Sequence, residues 1–132
     1  MFRPATEEDF VRLYNEPDEW AKKEFAKSDF PTALQYFNAS IGKIVCEYDG
    51  EIYCMWGIHP MFIADKTGLV WFILSAPKPQ RLRAMRGFRG LAPFVPLSID
   101  TLYATIDTET NAKFARWCGL TPINETLYHW RR

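Results

Sequence analysis

Lys43-Ile44-Val45-Cys46-Glu47-Tyr48-Asp49-Gly50-Glu51-Ile52-Tyr53-Cys54-Met55-Trp56-Gly57-Ile58 is the stretch that decides the class of fold. Two runs of β-branched, aromatic and cysteine residues flank Asp49-Gly50. That dipeptide is preferred in a type I′ turn because both central residues need positive φ. The stretch therefore predicts an antiparallel hairpin of strands 43–48 and 51–58, with His59-Pro60 ending the second strand. Asp65-Lys66-Thr67-Gly68 makes the next turn. Leu69 to Ser75 follows as a run of strand formers without polar alternation, the pattern of a strand buried on both faces.

Working outward from this sheet, Pro77 and Pro79 break the strand, because proline supplies no N–H. Gln80 to Phe88 is predicted helical with Leu82 and Met85 inward and the arginines outward, and Gly87, Gly90, Pro93 and Pro96 keep that helix short. Leu102 to Ile106 reads as a strand, Asn111 to Cys118 as an amphipathic helix ended by Gly119, and Glu125 to Trp130 as a last strand. Upstream, Phe2-Arg3-Pro4 is a short strand and Thr6 is placed to cap a helix whose first turn is Glu7-Glu8-Asp9. Phe10, Leu13 and Tyr14 share its apolar face. Further helical starts follow at Asn15-Glu16-Pro17, with Trp20, Ala21 and Phe25 inward, and at Asp29-Phe30-Pro31, leading to Leu34 and Phe37. The order β-α-α(α)-β-β-β-α-β-α-β defines an α+β fold with helices on the faces of a sheet.

With 132 residues, 48% of them apolar, the chain has the size and the side chains for one core, and 1–132 is read as a single domain. Ten Phe, six Tyr and five Trp exclude a disordered tail, a collagen-like fibre and a coiled coil. The longest apolar run, Leu69 to Leu74, is far short of the roughly 20 residues of a membrane helix. No basic start leads into an apolar stretch, so neither a membrane-spanning nor a secreted protein is expected. Cys46, Cys54 and Cys118, odd in number and in apolar surroundings, read as buried free thiols of a reducing compartment.

Sixteen basic and sixteen acidic residues cancel, but unevenly. Between Lys66 and Ile99 stand Lys66, Lys78, Arg81, Arg83, Arg86 and Arg89 with no acid, which leaves the rest of the chain at minus six. Such a segment is either a solvated helix face or a surface that attracts anions. Nucleic-acid binding through residues 78–89 is possible but not favoured, because the whole chain has no basic surplus.

The start Phe2-Arg3-Pro4-Ala5-Thr6-Glu7-Glu8-Asp9-Phe10 and the segment Phe114-Ala115-Arg116-Trp117-Cys118-Gly119-Leu120, taken with the order of elements, resemble the GNAT superfamily of acyl-CoA-dependent N-acetyltransferases. Val70-Trp71-Phe72-Ile73-Leu74-Ser75, the basic helix after it and Leu102-Tyr103 look like the small GNAT-like proteins of tailed bacteriophages, among them an internal virion protein of podoviruses. The resemblance implies a mostly antiparallel mixed sheet with helices on both faces. It also implies a Gln/Arg-x-x-Gly-x-Gly/Ala loop whose bare N–H groups hold the diphosphate of acyl-CoA. The corresponding stretch, Ser75-Ala76-Pro77-Lys78-Pro79-Gln80-Arg81-Leu82-Arg83, has no glycine and two prolines, and Gly87 and Gly90 are three apart instead of two. The asparagine that often opens the family's last helix falls at Thr108, and the tyrosine that often protonates the departing thiolate falls at Ala115. A methyl group donates no proton. Tyr103, Tyr128 and Cys118 are the remaining candidates for that role.

If acyl-CoA is bound, Phe72, Ile73 and Leu74 hold the pantetheine arm through the main chain while Lys78, Arg81 and Arg83 meet the phosphates. The candidate bases are His59, because imidazole as a group can exchange protons near neutral pH, and Asp107, with Glu109 beside it. The competing readings are a turn residue for His59 and helix-dipole carboxylates for Asp107 and Glu109. His129, Trp56 and the Trp71-Phe72 pair read as structural, and Trp117 and Trp130 as possible contact residues beside Arg131-Arg132. Two histidines and three cysteines without short ligand spacing make no metal site. The resemblance and the damaged loop together lead to an expectation of a phage protein that acts by binding other phage or host proteins, in the host cytoplasm or the virion, with no cofactor. The alternative is an N-acetyltransferase with acetyl-CoA as cosubstrate.

Overall fold

The computed structural model describes residues 1–62, 64–76 and 78–132. The hairpin forms as expected. Strand β2 (Ile41–Tyr48) pairs antiparallel with β3 (Glu51–Phe62), and Asp49 and Gly50 take φ of 52° and 78°. β3 does not end at His59-Pro60 but runs through them. Its ladder to β2 stops at Ile58, whereas Pro60 still faces Gly68 of β4 (Thr67–Leu74). Among the described residues the strand beyond Ile58 is paired with β4 only, the edge position in which a proline is tolerated.

The other strands are β1 (Phe2–Pro4) beside β2, β5 (Thr101–Thr105) parallel to β4, β6 (Thr121–Pro122) and β7 (Leu127–Arg131). Among the described residues they make one seven-stranded sheet in the order β1-β2-β3-β4-β5-β7-β6. The α+β mixed sheet expected from the sequence is therefore what forms, with two-residue β6 added. All pairs except β4–β5 are antiparallel.

Helices cover both faces, and each face has its own core. On one side, α1 (Glu7–Asn15), α2 (Glu19–Phe25) and α3 (Phe30–Ala39) pack Phe10, Leu13, Ala21 and Phe37 against Val45, Met55 and Ile73. On the other, Trp56, Phe72 and Leu74 meet α4 (Arg81–Ala84), a 3₁₀ turn at Ala92–Phe94 and α5 (Glu109–Trp117). Trp56, 2% exposed, is ringed by Phe2, Phe88 and Phe94 at centroid distances of 5.8, 5.8 and 5.5 Å. β4 is buried continuously only over Phe72–Leu74; before that it alternates. Trp71 crosses β3 at Gly57, where a Cβ would lie 2.5 Å from the indole, and its Nε1 donates to Ser40 Oγ at 2.9 Å. Among the described residues no helix is long and apolar enough to cross a membrane.

The expected caps at Thr6 and Asp29 are present, whereas the start expected at Asn15-Glu16-Pro17 moves to Glu19, because Asn15 still belongs to α1 and Asp18 supplies the cap of α2. Thr6 and Asp9 form a reciprocal capping box, and Asp9 also receives both guanidinium nitrogens of Arg3, at 2.7 and 2.8 Å. The Arg3 bonds, opposed by burial and helped by Thr6, hold the Asp9 carboxyl at about 2, below its ordinary 3.8. A depressed carboxyl contributes stability above its unfolded value and loses it as the pH falls through the folded one. Acid titration should accordingly remove on the order of 1 kcal/mol between pH 4 and 2, discounted for the partly solvated Arg3. Urea unfolding of Asp9→Asn at both pH values checks this. The variant should show a smaller loss over that window, and an equal loss would place the effect elsewhere.

Candidate functional site

The parallel ladder between β4 and β5 covers only Thr67–Leu69 and Thr101–Tyr103, although β4 continues to Leu74 and β5 to Thr105. The two strands diverge, and a cleft of about 480 Å³ opens at their C-terminal ends. Its base is Tyr53, Cys54, Leu74 and Ser75. Arg81, Leu82 and Met85 form one wall, Thr110, Lys113, Phe114 and Trp117 the other, and Trp20 of α2 completes it. Ligand clefts commonly have this size and apolar character. Arg81 and Lys113 are the charged groups that line it, and both are positive.

Solved structures share this fold over the whole chain. The ribosomal-protein-alanine N-acetyltransferase of Brucella melitensis superposes with a TM-score of 0.64 at 15% identity, covering 100% of this chain and 99% of that one. A GNAT-family acetyltransferase of Streptococcus pneumoniae gives 0.62 at 12%, with the same coverages. The chain has the GNAT fold. N-acetylglutamate synthase of Neisseria gonorrhoeae, complexed with coenzyme A and N-acetyl-glutamate, matches with a TM-score of 0.64 at 14% identity over 99% of this chain. The present chain spans 34% of that protein. No family model and no curated protein matches the sequence.

In the GNAT frame the crossover from β4 to α4 is where a diphosphate cradle is expected, and here its amides are largely committed. Ser75 N–H donates to Tyr53 O at 3.2 Å, Ala76 N–H to an Asp18 carboxylate oxygen at 2.8 Å, and Arg81 N–H to Lys78 O at 3.0 Å. Pro77, which lies outside the described residues, and Pro79 have no N–H to offer. Of the seven amide positions from 75 to 81, at most Lys78 and Gln80 remain. Asp18 is the N-cap of α2, and its other oxygen accepts Trp20 and Ala21 N–H, both at 3.0 Å. Burial opposes ionisation of Asp18, but the Ala21, Ala76 and Trp20 donors and the Lys78 charge outweigh it and hold the carboxyl below its usual range.

The residues singled out in the sequence scatter around this cleft. Arg81 lines it. Lys78 turns the other way, donating to Ile52 O at 3.2 Å and lying 3.8 Å from Asp18. Arg83 is exposed and is not part of the lining. Leu74 lines the cleft, Ile73 belongs to the opposite core, and Phe72 lies beneath Phe114, an edge-on contact at 5.1 Å. His59 stacks on Tyr36 at 4.6 Å, five strand positions or roughly 17 Å from Cys54 along β3. Its Nδ1 is buried without a hydrogen-bond partner among the described residues. Asp107 is ion-paired with Lys27 at 3.0 Å, and Glu109 lies 3.6 Å from Arg116. Asn111 donates to Glu24 at 3.3 Å, so α2 and α5 are strapped together across the splay.

The tyrosine-equivalent position, Ala115, is 0% exposed. Tyr128 accepts from Arg116 at 3.1 Å, and Tyr103 faces Leu69 and His129 within the sheet. The bond to Cys46 and burial push the Cys54 thiol well up, and burial does the same to Cys118. Protonated thiols are poor nucleophiles. Among the described residues no cluster of His, Cys, Asp and Glu is placed to hold a metal.

Two expectations are corrected here. The helix predicted over 80–88 is reduced to Arg81–Ala84, and Leu82 points outward with 83% of its surface exposed. Ala84 and Phe88 are the buried positions of that segment instead. Sequence reasoning missed Asp18, Trp20, Tyr53, Thr110 and Lys113 as parts of the site. Asp18 alone carried a local signal, an aspartate standing directly before a helical run.

Proposed function

We propose that this chain is a GNAT-fold protein that works by binding, as a small component of a phage virion or its assembly or as a host-directed accessory factor, and that it transfers no acyl group. The observation behind this reading is the Asp18 carboxylate on Ala76 N–H. A diphosphate would need the same donor and would bring a second anion to a spot that already holds one. Side chains such as Arg81 and Lys113 must be ordered at an entropic cost that preformed backbone donors avoid. The charged side chains that line the cleft are Arg81 and Lys113, and neither a carboxylate nor an imidazole lies among its lining residues.

A second reading, an acetyl-CoA-dependent N-acetyltransferase, draws on the cleft itself, which opens where the strands splay and carries two cations. In that case His59 or Asp107 would have to act on the amine through water. His59 lies well away along β3 and Asp107 is already held by Lys27.

Thermal unfolding with and without millimolar acetyl-CoA decides between them, because a ligand specific for the folded state raises the midpoint. No rise is expected, and no thiol release with a panel of amines. A rise of several degrees that Arg81→Ala removes would replace the first reading with the second.

A further inference from the structure

Arg81, Arg83, Arg86 and Arg89 stand within nine residues, all exposed. Among the described residues no carboxylate lies within ion-pair distance of any of them, whereas Arg3, Arg12, Lys27, Lys66, Lys78, Arg116 and Arg132 all have acidic partners. Among the described residues their charge is uncommitted. Leu82, 83% exposed, lines the cleft beside Arg81. Across the cleft, Trp117 is 49% exposed, and its orientation is fixed by stacking on Phe88 at 4.5 Å and 24°. The space between Leu82 and Trp117 is mostly apolar, and no carboxylate lines it.

Resting on the binding reading above, we propose that this cleft and the arginines beside it dock an acidic polypeptide segment carrying one large apolar side chain. The apolar side chain enters between Leu82 and Trp117, and carboxylates on either side of it pair with Arg81, Arg83, Arg86 and Arg89. Charge complementarity sets the sign of the partner, and the cleft sets the apolar element. A nucleic acid satisfies the first requirement but not the second: bases need stacking faces and edge partners. Among the described residues lining the cleft Trp117 is the exposed aromatic, a single stacking face, and the apolar surface of Leu82, Leu74 and Met85 beside it suits an apolar side chain better than a base edge.

The test uses the full chain and a fluorescein-labelled peptide with a central phenylalanine flanked by glutamates, read by fluorescence anisotropy. Binding is expected. It should weaken about tenfold with Arg81→Glu and Arg83→Glu together, from the loss of two exposed ion pairs. It should also weaken severalfold with Leu82→Ser, and with alanine in place of the peptide's phenylalanine. All three substituted positions are exposed, so unchanged thermal midpoints confirm that the variants fold. Four results would overturn the inference: no binding of the acidic peptide, equal binding of a lysine counterpart, tighter binding of oligothymidylate, or self-association abolished by Arg83→Glu. Displacement of the bound peptide by acetyl-CoA would defeat the function proposed above and leave this docking site in place.

Discussion

Trp56→Ala should lower the free energy of unfolding by about 3–5 kcal/mol, the usual cost of removing a buried tryptophan and leaving a partly collapsed cavity. Trp56 stands on the middle of β3 with 2% of its surface exposed, and Phe2, Phe88 and Phe94 touch it from three separate parts of the chain. Those rings cannot all follow a methyl group into the space, because β1 is fixed to β2 and Phe88 already stacks on Trp117. The loss is a large share of the total stability of a domain this size. It should appear as a fall of roughly 10–20 °C in thermal midpoint and as a lower urea midpoint with unchanged slope. A loss below about 1 kcal/mol would mean that this aromatic cluster is not packed as described.

Asp18→Ala is the second large effect, at about 2–3 kcal/mol. The carboxylate caps α2 through two amides, and such caps are worth about 1 kcal/mol. It also accepts Ala76 N–H, a bond to a charged group worth about 1.5–3 kcal/mol, and it faces Lys78. These contributions overlap, so the total is less than their sum. Asp18→Asn keeps an acceptor for the amides and should recover most of the loss. Hydrogen exchange locates the defect. In Asp18→Ala the Trp20, Ala21 and Ala76 amides should exchange faster, with little change in the β2–β3 hairpin. Uniform acceleration across the chain would show that Asp18 supports the whole fold and not this junction.

The parts of the fold that were legible in the sequence are those whose cause is local. Asp49-Gly50 demands its own backbone conformation, and Thr6 with Asp9 closes a cap within four residues, so both could be read without knowing their surroundings. The segment after β4 was harder. The apolar spacing of Leu82 and Met85 suggests an inward face, yet Ala84 and Phe88 hold that place, because α4 stops at Ala84, a single turn that cannot fix its phase, and Gly87 at φ 85° then redirects the chain. Pro60 follows the same rule: its tolerance in β3 depends on the ladder to β2 stopping at Ile58, a fact about a neighbouring strand. The junction of Asp18 with Ala76 spans 58 positions and leaves no periodic trace. The thinning of the diphosphate cradle was visible as two prolines, but the carboxylate on Ala76 was not. Nor was the pairing of Lys113 with Arg81 at one opening, since they come from different helices.

Met55 and Trp56 are adjacent in the chain and belong to separate cores, one beneath α1 to α3 and the other beneath α4 and α5. The sheet acts as a party wall between two rooms. Replastering one side, even to accept a new occupant, leaves the furniture of the other where it was, because rearranged side chains press on backbone already tied edge to edge. A protein built this way can remodel its arginine side with little disturbance to the Phe10, Leu13 and Phe37 packing on the other, so long as the Asp18–Ala76 and Glu24–Asn111 links are kept.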